Sequence, residues 1–217
     1  MIQFRQVSKR YPGHDALHQV TFHLPPGSMT FLKGHSGAGK STLLKLIGLL
    51  EQPSQGQIVI GGQNINHFKK RHMPFYRRKI GMVFQDPHLL YARSVFDNVA
   101  LPLVISGHFS YREMGRRVRA ALDKVQLLGK EKTYPISLSG GECQRVSIAR
   151  AIISKPQIIL ADEPTGNLDR ALALDIMQLF AQFNQVGATI LIATHDEALM
   201  ANSDNAQITL KQGQIST

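Results

Sequence analysis

The sequence predicts an α/β fold: a largely parallel sheet flanked by helices, with a helical stretch inserted between its two halves. Three observations carry that expectation. A glycine-rich loop, Gly34 to Ser41, follows a short apolar run and precedes a Leu- and Ile-rich segment. Strand-like and helix-like patterns alternate again beyond Gly141, and the interval between the two halves has helical periodicity.

Each element has its own signal. Ile2 to Val7 and Val20 to Leu24 alternate apolar and polar side chains, as strands with one buried face do, and Met29 to Lys33 is a short apolar strand ending at Gly34. Ser41 to Leu50 combines good helix formers with an apolar face and is stopped by Pro53. Gln57 to Ile60 and Ile80 to Phe84 read as further strands, the second running into the polar turn Gln85-Asp86-Pro87. From Asp97 to Gly129 the pattern is helical: Met114, Val118, Ala121, Leu122 and Val125 recur at spacings of three and four, while Arg112, Arg116, Arg117 and Arg119 crowd the other sides. Then come a helix from Gly141 to Ser154, a strand from Ile158 to Ala161, a helix from Arg170 to Asn184 and a strand from Thr189 to Thr194. No internal repeat interrupts the series.

Composition removes several function classes. A chain of 217 residues with 43% hydrophobic and 18% charged side chains is globular rather than disordered or fibrous. The single Cys143 cannot form an internal disulfide, which argues against a disulfide-built secreted domain and for a reducing compartment. The longest charge-free stretch, Ile176 to His195, contains Gln178, Gln182, Asn184, Gln185 and Gly187 and is too polar to span a bilayer. The first residues lack the apolar core of a secretion signal, so a cytoplasmic protein is expected. The net charge of +10 is concentrated: residues 52–132 hold 14 basic and 5 acidic side chains, and Gln52 to Gln85 has no acidic residue at all. Such a block suits nucleic acid, anionic head groups or an acidic partner, and also a merely solvated face.

The chemistry-bearing residues fall at the ends of the predicted strands. Gly34-His35-Ser36-Gly37-Ala38-Gly39-Lys40-Ser41 has the spacing of a phosphate-binding loop, in which glycines admit close approach of backbone N–H groups to phosphate. Lys40 then reaches the β- and γ-phosphates, and Ser41 ligates magnesium. Ile158 to Ala161 ends in two acids, which places Asp162 beside the metal and Glu163 where it polarises a water aimed at the γ-phosphate. Leu138-Ser139-Gly140-Gly141-Glu142 is a second loop of small residues opening a helix. One nucleotide hardly needs two such helix ends, so this one is expected to face the nucleotide of another copy.

In this order the motifs resemble those of the ATP-binding cassette (ABC) ATPases over essentially the whole chain. The matching positions are the phosphate loop, Gln85 after its strand, Leu138 to Glu142, Asp162-Glu163, Asn167-Leu168-Asp169, and His195 after the last strand. The resemblance implies a phosphate-loop parallel-sheet core with an N-terminal antiparallel β subdomain and an inserted α-helical subdomain. It makes 1–217 a single ATP-binding domain, with 1–86 and 133–217 as the core and about 87–132 as the helical lobe. It implies Glu163, His195, Gln85 and Lys40 as catalytic residues, and Ser41, Gln85 and Asp162 as magnesium ligands. Nucleotide contacts are implied for Tyr11, whose ring would stack on adenine, for Gly34, His35, Ser36, Gly37, Ala38, Gly39, Lys40, Ser41 and Thr42, and across an ATP-dependent homodimer for Ser139, Gly140, Gly141, Glu142 and Asp169. Cys143 stands where relatives usually carry Gln and reads as a small side chain early in a helix.

Asp162 to Asp169 is similar to the same stretch in cassettes that serve membrane partners with large extracytoplasmic domains, the lipoprotein-release, macrolide-export and cell-division branches of the family. Gly34 to Gly39 and Pro74 to Met82 most resemble the cell-division branch. That implies an integral membrane partner, contacts with the division machinery, control of periplasmic cell-wall hydrolases, and a peripheral location on the cytoplasmic face of the inner membrane. A nucleic-acid machine of this family is not expected, because only 98 residues separate Lys40 from Ser139, too few for an inserted coiled coil.

Overall fold

A computed structural model describes residues 1–201 and 205–216. The chain opens with β1 (Ile2–Tyr11) and β2 (His14–Leu24), which pair antiparallel, and β3 (Met29–Lys33) leads through the glycine-rich loop into α1 (Lys40–Ile47). Next come β4 (Gln55–Ile60), the two-residue β5 (Gln63–Asn64), two single 3₁₀ turns, the short α2 (Met73–Arg77) and β6 (Ile80–Val83). The helical stretch is α3 (Val95–Ser106) and α4 (Tyr111–Lys124), after which come α5 (Gly140–Ile152), β7 (Ile158–Asp162), α6 (Arg170–Gln185), β8 (Thr189–Thr194), α7 (Glu197–Ala201), β9 (Ala206–Lys211) and β10 (Gln214–Ser216).

Two sheets result. One is antiparallel in the order β2-β1-β4-β5; the other has the order β10-β9-β3-β8-β7-β6, parallel except for its β9–β10 edge pair. The central strands of the larger sheet are buried on both faces, which is why they read as continuous apolar runs rather than alternating ones. Alternate residues nevertheless enter different cores. Phe31, Ile159, Ala161, Ile190 and Ile192 pack with α3, α4, α5 and α6 on one side. Leu32, Ile158, Leu160, Leu191 and Ala193 pack with α1 and the antiparallel sheet on the other. Truncating a fully buried ring such as Phe31 to Ala would cost about 3–5 kcal/mol.

The helical stretch read from Asp97 to Gly129 is made of two helices, α3 and α4. Gly107, at φ 72°, closes α3 in the left-handed conformation, and Ser110 restarts the chain by accepting a hydrogen bond from Glu113 N at 3.3 Å. α4 buries Val118, Ala121 and Leu122, as its periodicity predicts. Asn98, fully buried on α3, donates to the carbonyls of Leu90, Arg93 and Ser94 and accepts from Leu90 N, which fixes the loop that follows Gln85.

Candidate functional site

Strand register builds the site. In the parallel sheet Lys33 aligns with Thr194, and Asp162 aligns with Ala193, so three neighbouring strands end together. The glycine-rich loop, Glu163 and His195 each come directly after one of these ends and are thereby gathered at the carboxyl edge of the sheet, where open α/β sheets bind ligands. A cleft of about 430 Å³ lies there, bordered by His14, Ala16, His35, Ser36, Gly37, Ala38, Gly39, Lys40, Ser41, Thr42, Gln85, Asp162, Glu163 and His195.

The loop needs its glycines for space. A Cβ on Gly34 would stand 2.4 Å from the Leu210 carbonyl oxygen, and one on Gly39 would stand 2.5 Å from that of Ala16; Gly39 also has φ 103°. Gly39 caps α1 without any side-chain hydrogen bond, so the first amides of the helix are left for a ligand. Lys40 is buried, with Nζ 2.6 Å from Gly34 O, 3.2 Å from His35 O and 3.7 Å from Glu163 Oε1.

The acids differ in setting. Asp162 is buried at the end of β7; burial raises its carboxyl above the ordinary value, opposed by a hydrogen bond from the Ser41 side chain. Glu163 sits at φ 46°, a left-handed conformation that a non-glycine residue adopts at a cost, and its N–H donates to Ala193 O at 2.9 Å. His195 Nδ1 lies 2.9 Å from Glu163 Oε1, an arrangement in which Nδ1 carries the proton and donates. Ser41, Gln85 and Asp162 border the cleft together and offer a hydroxyl, an amide and a carboxylate, the hard oxygen donors that suit magnesium.

Not every expected residue is in the cleft. Ser139, Gly140, Gly141 and Glu142 form the start of α5, where Ser139 Oγ accepts from Glu142 N at 3.2 Å and Glu142 Oε2 accepts from Ser139 N at 2.9 Å. Glu142 also pairs with Lys130 at 2.8 Å. Asp169 caps α6 by accepting from Leu172 N at 3.0 Å, and the preceding loop lies against the start of α5, where a Cβ on Gly141 would be 3.2 Å from Asn167 O. Tyr11 ends β1 and does not border the cleft, although the His14 ring stacked on it does. Sequence reasoning passed over His14, Ala16 and the buried Gln144, whose Nε2 donates to Phe84 O at 3.2 Å and so ties α5 to the residue before Gln85. The Pro12-Gly13 turn beside Tyr11 was the available signal for His14.

A helix N-terminus behind a glycine-rich loop, an invading lysine and a strand ending in two acids define a nucleotide-binding protein of the phosphate-loop class. The ABC transporter family model matches residues 17–166, and the chain belongs to that family. It is 57% identical over 216 residues to the cell division ATP-binding protein FtsE of Escherichia coli, covering 99% of this chain and 97% of that protein. FtsE of Bacillus subtilis is 42% identical over 216 residues, covering 99% of this chain and 94% of its own length. The dimeric structure of MJ0796, described as a bacterial ABC transporter cassette, superposes with a TM-score of 0.95 at 36% identity, covering 100% of this chain and 97% of that one. A second dimeric MJ0796 structure, a post-hydrolysis state bound to ADP and Pi, has the same TM-score at 35% identity.

Proposed function

We propose that this chain is the ATP-hydrolysing subunit of a membrane-associated ABC complex in cell division, acting with an FtsX-like integral membrane partner to control periplasmic peptidoglycan hydrolases. The observation that carries the hydrolytic part is the convergence of the phosphate loop, Asp162, Glu163 and His195 on one cleft. The likeness to FtsE proteins along nearly the whole chain supports the cell-division part. We take 1–217 as one ATP-binding domain, with 87–132 as a helical lobe set into the core.

The triphosphate lies on the loop amides and the N-terminus of α1, and Lys40 exchanges the carbonyls of Gly34 and His35 for the β- and γ-phosphates. Glu163 accepts a proton from water as the water oxygen bonds to the γ-phosphorus and the bond from that phosphorus to the β–γ bridging oxygen breaks, leaving ADP and phosphate. His195 orients the Glu163 carboxylate from 2.9 Å. Ser41, Gln85 and Asp162 would hold a magnesium ion, which when bound neutralises charge on the phosphates. Ser139 to Glu142 and Asp169, which do not border the cleft of their own chain, face the nucleotide of a second copy in an ATP-dependent homodimer.

Among the described residues no helix is long and apolar enough to cross a membrane. Lys69, Lys70, Arg71, Phe75, Arg78 and Lys79 are all exposed, and this block docks the subunit on its partner and on anionic head groups of the inner leaflet rather than on nucleic acid. Replacing Lys69, Lys70 and Arg71 by Ser should release the protein from membranes and leave ATP affinity unchanged.

The test of the hydrolytic reading is Glu163→Gln. ATP binding should persist while hydrolysis falls by about 10² to 10⁴-fold, and near-normal turnover would sink the assignment. The same chemistry would serve a lipoprotein-release or macrolide-type export system; mass spectrometry of the integral protein that co-purifies from membranes separates these from the division complex.

A further inference from the structure

The parallel sheet has a second edge. β7 and β8 begin at Ile158 and Thr189, so the segments that lead into them, 155–157 and 186–188, lie at the amino ends of the strands, opposite the nucleotide cleft. There α4 and the ends of α5 and α6 leave two hollows of about 380 and 560 Å³. Lys124, Lys155 and Phe183 wall both, which makes them one groove. Its rim is basic: Arg116, Arg117, Lys124 and Lys155 border it against a single acid, Glu113. Glu113 is already paired with both arginines, and Arg117 also lies over the Phe109 ring, 4.4 Å from its centroid. Lys124 and Lys155 are exposed, and among the described residues neither pairs with an acid. Lys155 holds φ 52°, a left-handed conformation in which backbone preference alone would favour glycine. The floor is apolar: Ile152 and Ile153 close one hollow, Phe183 is half-buried between the two, and Val186 in the other is 82% exposed. Exposed apolar surface rimmed by charge is the make-up of a protein-binding site.

We propose that this groove docks an acidic amphipathic segment of a partner protein, whose carboxylates pair with Lys124 and Lys155 and whose apolar side chains cover Phe183 and Val186. Both chemistries are needed to match the surface. A phosphodiester backbone or a flat layer of anionic head groups would meet the lysines and leave the apolar wall uncovered, whereas a purely apolar segment would gain nothing from the two unpaired cations. The groove shares no residue with the nucleotide cleft, and none of residues 69–79 lines it. A partner seated here therefore leaves the cleft and the membrane-docking block uncovered, and the inference does not depend on the reading of either.

The experiment titrates the full chain into a fluorescein-labelled peptide of about 15 residues, built from Glu and Leu with the leucines at spacings of three and four. Two control peptides carry Lys in place of every Glu, or Gln in place of every Leu. The acidic amphipathic peptide should bind the wild type at least about ten-fold more tightly than either control, and added salt should weaken it. Lys124→Glu/Lys155→Glu should weaken it by about ten-fold or more, and Val186→Asp, at a position outside the core, by about three-fold or more. Melting temperatures of both variants should stay near that of the wild type, which separates a lost contact from a lost fold. Equal binding of the three peptides, or unchanged binding of the acidic one by the charge-reversed variant, would overturn the proposal. So would a loss in that variant of binding to phosphatidylglycerol vesicles or to a duplex DNA oligomer that exceeds the loss for the peptide, or a change in its oligomeric state, since these assign the groove to a lipid surface, a nucleic acid or a second copy.

Discussion

Two helices of this protein begin behind loops of glycine and serine, and they end their loops in opposite ways. α1 has Gly39 at its N-cap, no side-chain cap and no acid in its first turn. α5 has a complete capping box, with Ser139 and Glu142 satisfying each other's backbone amides and Lys130 neutralising the glutamate. The first terminus therefore retains unmet donors and partial positive charge for an incoming anion, while the second is already complete within its own chain. Completeness does not disqualify α5 from a role across a dimer. A hydroxyl that accepts from Glu142 N still carries a proton to donate, so Ser139 can offer one hydrogen bond to a neighbour's phosphate without opening its cap.

The largest effect comes from placing the two termini on different chains. Lys40→Ala and Ser139→Arg should each abolish turnover alone, yet an equal mixture should regain activity, because one of the two composite sites in the mixed dimer contains both defects and the other contains neither. If both helix ends served one chain's nucleotide, every mixed dimer would stay inactive. Cysteines at 36 and 139, introduced with Cys143→Ser, should crosslink between chains in the presence of ATP; a crosslink within one chain would contradict the arrangement.

A smaller effect separates groups kept for a ligand from groups kept for the fold. Burial pushes the Asp162 carboxyl above its ordinary value of 3.8. The folded chain then holds that proton more tightly than the unfolded chain, so the favourable contribution is complete below the unfolded value and is lost as pH rises through the folded one. At neutral pH the ionised Asp162 is a cost to the ligand-free fold. Asp162→Asn should raise the melting temperature of ligand-free protein while ATP turnover collapses, the trade expected of a site residue. A lower melting temperature at pH 7 would show that Asp162 is there for the fold.

The same division decided what was legible beforehand. The strand from Thr189 to Thr194, buried along its whole length, was readable to the residue, and so was the loop from Gly34 to Ser41, whose chemistry is local to eight consecutive positions. β9 and β10 gave no signal because only Leu210 of β9 is buried; the place of β9 is set by pairing with β3, a partner far away in sequence, and β10 pairs in turn with β9. The break between α3 and α4 left no mark on the helical pattern because the four residues from Gly107 to Ser110 are too few to disturb a 3.6-residue average. His14 was hidden for a related reason: Pro12-Gly13 beside it denotes a turn rather than chemistry, and its place at the cleft comes from strand contacts that only the folded chain reveals.

The complete helix end makes two weaker predictions. Ser139→Ala removes one cap hydrogen bond, about 1 kcal/mol, and should lower the melting temperature by roughly 2–4 °C in a chain of this size. Glu142→Gln should do less, because a glutamine at this position can still complete the box and only the charge is lost. That charge is favourable: a hydrogen bond from Lys130 and one from the Ser139 amide hold the Glu142 carboxyl below its ordinary value of 4.5. Its contribution is therefore present above pH 4.5 and is lost as pH falls through the folded value. With Lys130 45% exposed, screening keeps it below about 1 kcal/mol. Melting curves of wild type and Glu142→Gln should thus differ most near pH 7 and converge below pH 4.5, in added salt at every pH by less. A gap that widened on acidification would mean that the capping glutamate is a burden on α5 rather than the group that closes it.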